Sequence, residues 1–420
     1  MADVVESLRF LSDSQAAELR QRWGTPCYVY DERQLRRQAA EALAFPHAFG
    51  LTVRYAIKAN PNAALLRLFD ACGLHFDASS GFEAWRAMRA GVDGNKVSLS
   101  AQQMPEDFAA LAEQGIRFVA TSLRQLEAWA AAFSGGQVAL RLNPGVGSGG
   151  NNRTNVGGRQ SSFGIWHEYL DAALEIAKRQ SLRIDRLHTH IGSGSDPQVW
   201  GEVAELSLGL AERLPDVTQV NLGGGYKVAR MQDETATDLQ QIGEPVRVAF
   251  ERFAARTGRQ LELEIEPGTF LVANAGALVT TVTEVVDTGT DGYTFLRTDA
   301  GLNDILRPAM YGSQHPIVVV PQTPTTRTGD YIVVGHCCET GDIMSPAPGN
   351  PEAIRTRRLT AAAVNDLVVV EGAGAYCAAM AASNYNSFPI CPEILIREDG
   401  SLDSIRRRQT LAEMLQLESP

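Results

Sequence analysis

Val53-Arg54-Tyr55-Ala56-Ile57-Lys58-Ala59-Asn60 is an apolar, β-branched and aromatic run with a lysine near its end. The composition reads as a buried strand. A buried ammonium is unfavourable unless it is paired or loses its proton. The chain holds only four lysines: Lys58, Lys96, Lys178 and Lys227. Lys96 sits in a Gly-Asn turn and Lys178 beside Arg179 in a charged helix, both ordinary solvated positions. Lys227 follows a glycine run and could touch an anion. Lys58 alone stands where loss of hydration would lower its pKa and make it a nucleophilic amine. The plainer reading is a strand-end lysine whose stem lies on apolar surface while its head reaches water.

Outward from this strand a beat repeats. Strands are expected at Val53–Ala59, Leu74–Ala78, Val97–Ser100, Phe118–Thr121, Val138–Leu142, Leu187–Ile191, Val217–Leu222 and Leu261–Ile265. Helical patterns separate them, at Asn62–Cys72, Gly81–Ala90, Pro105–Gln114, Leu123–Phe133, Trp166–Gln180, Gln198–Arg213 and Ile242–Arg256. Alternation of this kind implies a parallel sheet, and eight repeats suggest a closed (β/α)8 TIM-type barrel; a doubly wound open sheet is the alternative. Lys58, Asp77, Arg141, His190, Gly223-Gly224-Gly225 and Glu266 all fall at or just after strand ends, the edge on which such barrels build active sites. The Gly- and Asn-rich stretch Gly145 to Ser162 is either a mobile lid or a solvated insertion.

Before the barrel, Ser12 and Gln15 have capping-box spacing for a helix over Asp13 to Trp23, Cys27–Tyr30 reads as a strand, and Asp31 caps a helix through about Ala44. After Glu266 the rhythm changes to strands separated by Gly, Pro and Asp turns: Ala277–Asp287, Tyr293–Asp299, Ile317–Val320, Tyr331–Val334, Leu367–Val370 and Glu393–Arg397. This is a C-terminal antiparallel β domain into which Cys27–Tyr30 can pair. The expected division is a barrel over 32–275 and a β domain from 1–31 with 276–420.

Composition narrows the function. At 420 residues two domains are expected. A net charge of −11 argues against nucleic acid or an anionic membrane surface as partner, so an anionic substrate needs a local arginine cluster. No stretch has the length and apolarity of a membrane span, and the acidic start lacks a signal-type apolar core. Six cysteines without paired metal spacing read as reduced thiols, and no metal site is expected. A cytoplasmic protein acting on a small molecule is the resulting expectation.

The strand ends then suggest a chemistry. Gly223-Gly224-Gly225 lets bare backbone N–H groups approach a phosphate, although glycine turns are common. Glu266-Pro267-Gly268 brings a carboxylate that can hold a protonated ring nitrogen. His188-Thr189-His190-Ile191-Gly192-Ser193 brings an imidazole and a small hydroxyl, although core histidines are commoner than functional ones. A Schiff-base lysine, phosphate-binding glycines and a carboxylate for a pyridine nitrogen are the parts that pyridoxal 5'-phosphate requires.

With these motifs the chain resembles the barrel-type pyridoxal-phosphate decarboxylases, most closely the diaminopimelate decarboxylases. The resemblance runs from about Thr25 to Glu418 and rests on YAIKAN around Lys58, HTHIGSG around His190, NLGGG, EIEPG, DAGLNDILRPAMYG, CCETGD, GAGAYCAAMAASNYNS and the final RRRQT. It implies that Lys58 carries the cofactor covalently, that His190 stacks on its ring and that Glu266 pairs with its pyridine nitrogen. It implies that Gly223, Gly224, Gly225 and Ser193 hold the phosphate, with Pro267, Gly268 and Thr269 beside them and Tyr376 also on the cofactor. Arg307 and Tyr311 resemble the residues that bind the substrate's distal carboxylate, Glu339 the one that binds its distal ammonium, and Cys338 the proton donor. A homodimer with shared active sites is implied, the Cys-Glu segment coming from the partner. The implied reaction is loss of carbon dioxide from meso-diaminopimelate to give L-lysine.

One position departs from the pattern: the family usually reads Glu-Pro-Gly-Arg, and here Thr269 stands for the arginine that helps bind the substrate carboxylate. Arg307 with another cation, such as one from the Arg153–Arg159 loop, is expected to suffice. Two other readings stay open: a related decarboxylase acting on D-lysine, ornithine, a carboxynorspermidine-like or carrier-bound substrate, and a cofactor-binding regulatory protein without activity. Lys58, Cys338, Glu339 and Tyr376 occurring together argue against the silent one.

Overall fold

The computed structural model describes residues 5–146, 157–190 and 196–419. The chain divides into two compact units, one of Arg36–Val228 with Thr235–Leu271, the other of the residues up to Leu35, Ala229–Glu234 and those from Val272 on.

The first unit is a closed barrel of eight parallel strands: β1 (Leu51–Ala56), β2 (His75–Ala78), β3 (Val97–Leu99), β4 (Arg117–Ala120), β5 (Gln137–Asn143), β6 (Arg183–Thr189), β7 (Gln219–Asn221) and β8 (Glu262–Ile265). β8 returns to β1, with Leu263 opposite Leu51 and Ile265 opposite Val53, so the ring has no edge and the open-sheet alternative falls. Burial on both faces explains the near-continuous apolar runs. The intervening helices start where the sequence offers caps: Asn62, Ser80, Ser122, Asp196 and Asp238 each accept a backbone N–H from the first turn. Each such cap contributes about 1 kcal/mol.

Inside the barrel one layer is ionic where branched aliphatic side chains are usual. Glu264 of β8 is fully buried, and Arg54 of β1 donates to its Oε1 at 2.8 Å. Arg186 of β6 donates to Oε2 at 3.3 Å and to Ser98 Oγ of β3 at 3.1 Å. Burial pushes the Glu264 pKa up, but Arg54 and Arg186 prevail and hold it at about 2.

Two strand ends differ from expectation. β1 stops at Ala56, and Ile57–Ala59 form a 3-10 turn that carries Lys58. The Lys58 side chain is therefore 44% exposed, and the expectation of a buried lysine is corrected. Ala56 N–H makes the last bond of the run, to Pro267 O at 3.2 Å, and the chain then turns. β6 stops at Thr189, so His190 follows the strand where extension to Ile191 was expected. Of the expected lid, residues 147–156 lie outside the described residues. The described flanks meet on Asn143, whose Oδ1 accepts from Gly145 N at 3.1 Å and Gly158 N at 2.9 Å.

The second unit is a mostly antiparallel sheet. Cys27–Asp31 pairs antiparallel with Gly276–Asp287 and parallel with Glu393–Ile396; Thr294–Thr298 and Thr328–Val334 form a second parallel pair. Period-2 alternation puts Cys27 and Val29, Ala277 and Val279, Val318 and Val320, Leu367 and Val369, and Ile394 and Ile396 on one buried face. Helix Asp13–Trp23 covers it through Ala16 and Leu19, and its capping box of Ser12 and Gln15 forms.

Candidate active site

The C-terminal ends of the barrel strands bring together Lys58, Asp77, His188, His190, Asn221, Gly223 and Glu266. Glu266 is 6% exposed. Asn221 Nδ2 donates to its Oε1 at 2.6 Å, and His188 Nε2 lies 3.3 Å from its Oε2. Burial alone favours the neutral carboxyl, but His188, His190 and Lys58 overcome it and hold the Glu266 pKa well below the usual range. Asp77 behaves oppositely. Burial, then the charge of Glu266, push its pKa up to about 7, against Lys58 at 3.9 Å and the hydrogen bond from Ser100 Oγ at 2.8 Å. Of two buried carboxylates at one strand edge, Glu266 stays ionised and Asp77 is pushed toward protonation.

The glycines are required by space. A Cβ at Gly223, whose φ is +76°, would lie 2.3 Å from His190 Nδ1, and one at Gly224 would lie 2.1 Å from the Glu266 carbonyl oxygen. The turn thus runs flush against the imidazole and the Glu266 backbone. Asn221 Oδ1 accepts from Gly223 N at 2.8 Å, and Gly223 O accepts from Glu266 N at 2.8 Å. Asn221 therefore clamps the glycine turn and the Glu266 carboxylate at once. His190 Nδ1 is closed off from solvent with no partner among the described residues, and burial followed by the charge of Arg141 holds its pKa well below the ordinary histidine value. Pro267 and Gly268 are buried and Thr269, half-buried, opens the short helix Thr269–Val272. Ser193 lies outside the described residues.

The remaining candidates belong to the second unit. Arg307 and Tyr311 bound a one-turn helix, the guanidinium 5.8 Å from the Tyr311 ring centre. The neighbouring thiols of CCETGD part company. Cys337 turns inward, its N–H on Asp342 Oδ2 at 2.8 Å and its Sγ on Asn303 Oδ1 at 3.2 Å, and burial pushes its thiol up to about 12. Cys338 is exposed, with its N–H on Asn386 Oδ1 at 2.7 Å. Glu339 accepts from Gly341 N at 3.1 Å and Tyr385 OH at 3.4 Å. Tyr376 holds φ at +56°, a left-handed conformation that non-glycine residues adopt at a cost of about 1–3 kcal/mol and mostly at functional sites.

Residues 32–273 match the model of the pyridoxal-dependent decarboxylase, pyridoxal binding domain. The diaminopimelate decarboxylase of Escherichia coli (strain K12) is 36% identical over 412 residues, covering 94% of each chain. The chain belongs to the pyridoxal-dependent decarboxylase family. A crystal structure of diaminopimelate decarboxylase superposes with a TM-score of 0.90 at 35% identity, covering 97% of both chains. That of the Helicobacter pylori enzyme complexed with L-lysine gives 0.84 at 27% identity, covering 96% of this chain and 98% of that one.

The barrel mouth fits the family's cofactor. It offers an accessible amine on Lys58, an ionised carboxylate on Glu266, a glycine turn no side chain could occupy, and a His190 whose Nδ1 has no partner among the described residues. The sequence reading gave no part to Asn221, His188 or Asp77. Asp77 and His188 were visible as polar residues at strand ends, and Asn221 as the residue that opens the glycine motif; their shared partner Glu266 was not.

Proposed function

We propose that the protein decarboxylates meso-diaminopimelate to L-lysine and carbon dioxide with pyridoxal 5'-phosphate as cofactor. The observation that carries this is the buried, ionised Glu266 held at the same barrel mouth as the exposed amine of Lys58, in a chain that matches diaminopimelate decarboxylases over nearly its whole length. When bound, the pyridoxal ring supplies the sink for the electron pair left as carbon dioxide departs.

Each residue then has a task. Lys58 Nζ would hold the cofactor. Glu266, kept charged by its neighbours and aimed by Asn221, holds a proton on the pyridine nitrogen. Gly223, Gly224, Gly225 and Gly268 would offer backbone N–H groups to the phosphate together with Ser193, and His190 and Tyr376 would help hold the rest of the cofactor. Arg307 and Tyr311 bind the distal carboxylate. The partner subunit's Cys338 and the partner subunit's Glu339 complete the site in a homodimer, the thiol returning a proton to the carbon that lost its carboxylate and the carboxylate holding the distal ammonium.

Thr269 favours a second reading, a related decarboxylase whose substrate lacks the distal carboxylate, because threonine cannot make the bidentate ion pair an arginine makes. Release of carbon dioxide from a panel of amino acids tests both. Turnover of meso-diaminopimelate far above that of D-lysine or ornithine is expected; equal kcat/KM for D-lysine moves the protein to the second reading.

A further inference from the structure

Arg230 lies in the six-residue segment Ala229–Glu234 that leaves the barrel unit's sequence to join the second unit. It is 8% exposed. Its stem packs on Gly372, where a Cβ would meet Arg230 Cγ at 3.0 Å, and its Nε donates to the Gly372 carbonyl at 2.9 Å. Its Nη2 is shut off from solvent and has no partner among the described residues. A buried guanidinium edge without an acceptor is unfavourable by a few kcal/mol, and a carboxylate is the group whose geometry matches it.

A second such edge is connected to it. Arg307 Nε is also closed off, with no partner among the described residues, and its Nη2 reaches Ser313 Oγ at 3.4 Å. From Ser313 the chain runs to the buried His315, whose Nδ1 lies 3.0 Å from the Glu371 carbonyl. The next residue, Gly372, is the one that receives Arg230 Nε. The two arginines are close enough for their charges to act on each other: burial and the charge of Arg307 hold the Arg230 pKa down at about 10. They also act together on His315, which burial and these arginines keep neutral, so it adds no charge. The two carboxylates beside these arginines, Glu234 and Glu371, are each engaged through one oxygen by backbone N–H groups. Glu234 Oε2 accepts from the backbone N–H groups of Arg230 and Met231, and Glu371 Oε1 accepts from Arg9 N.

We propose that Arg230 and Arg307 form one carboxylate site, and that Arg230 is a specificity-determining residue whose unpartnered Nη2 takes the carboxylate that the amino-acid substrate carries away from its reacting carbon. This rests on the proposed function, which supplies a substrate with two carboxylates. It also gives the substrate's distal carboxylate, in a chain of net charge −11, the local cationic patch it needs.

The test uses holoenzyme with Arg230→Gln and Arg230→Lys, and two readouts. The first is the ratio of kcat/KM for meso-diaminopimelate to that for D-lysine, which lacks the second carboxylate. The second is the Kd of pimelate, a seven-carbon dicarboxylate without amines, by calorimetry. For Arg230→Gln the ratio falls and the pimelate Kd rises, each by roughly ten- to a hundredfold, the loss of one charge-assisted hydrogen bond. Arg230→Lys, which keeps the charge without the fork, gives a smaller loss and serves alone if the glutamine variant does not fold. An unchanged ratio together with an unchanged pimelate Kd overturns the proposal, as does an equal loss on both substrates with pimelate binding intact. If the wild type turns over only another amino acid, the proposed function fails, while the pimelate comparison still decides the role of Arg230.

Discussion

Glu264 and Glu266 stand two residues apart at the end of β8 and share a neighbour, Asn221, whose Nδ2 lies 3.3 Å from Glu264 Oε2 and 2.6 Å from Glu266 Oε1. Both are buried and both are held ionised. The difference is in what surrounds them. Around Glu264 the partners are guanidiniums, always charged, and both oxygens are taken by Arg54 and Arg186. Around Glu266 they are groups that change protonation or can be displaced: His188, His190, Lys58 and, across the site, Asp77. A carboxylate with both oxygens taken by guanidiniums fixes the barrel's interior, and a partly satisfied one above it leaves valences for a ligand. The same contrast separates Arg54, ion-paired with Glu264, from Arg230, whose Nη2 has no partner among the described residues.

The sharpest division is expected at Lys58. Lys58→Ala should reduce activity to background and abolish borohydride-trappable cofactor, while the midpoint of thermal unfolding of the cofactor-free protein moves little, because the side chain is exposed. Cofactor trapped on Lys227 instead would overturn the assignment. Glu264→Gln should do the reverse, leaving two buried guanidiniums without their carboxylate at a loss of about 3–5 kcal/mol, read as a lower denaturant midpoint. A glutamine variant as stable as the parent would mean the lower layer is not what fixes the barrel.

Between these extremes lies substrate recognition. Arg307→Ala should raise KM for meso-diaminopimelate by roughly ten- to a hundredfold, and Thr269→Ala by much less, since a charge-assisted hydrogen bond contributes about 1.5–3 kcal/mol and a threonine hydroxyl about 0.5–1.5 kcal/mol. Equal effects would put Thr269 in the place of the missing arginine. The expected replacement from the 153–159 loop gains nothing from the structure: Arg153 lies outside the described residues and Arg159 is an exposed residue of the barrel unit.

These comparisons also show what the sequence made legible. Strand–helix alternation, helix caps and glycines are local signals, and they revealed the barrel, the capping box at Ser12 and the turn at Gly223–Gly225. The ionic layer was invisible because Arg54 meets Glu264 across 210 residues of sequence, and no local pattern announces such a pair. Lys58 was recognised but its burial was misjudged, because a strand's end depends on pairing with a neighbour far along the chain, and here the last such bond is from Ala56 to Pro267. Arg230 went unnoticed for the same reason: its partner Gly372 is 142 residues away.

The smallest expected effect concerns Asp77, and its sign is set by linkage. The unfolded carboxyl titrates near 3.8, and in the fold burial and Glu266 push it up to about 7. Between those values the folded protein binds the proton and the unfolded chain does not, so stability falls as pH rises. The contribution is fully present below about pH 4 and is lost as pH passes 7. The slope this one group adds is about 1 kcal/mol per pH unit inside the window. Asp77→Asn keeps the shape, removes the titration and should flatten that part of the profile in the cofactor-free protein, so that the variant gains on the parent as pH rises from 4 to 7. Lys58→Ala should extend the window to higher pH, because the ammonium at 3.9 Å is what opposes protonation of Asp77. Chemical denaturation at half-unit steps of pH reads both changes. Parallel profiles for parent and Asp77→Asn would mean that Asp77 is ionised throughout, and that the barrel mouth is as saturated with charge partners as the layer around Glu264.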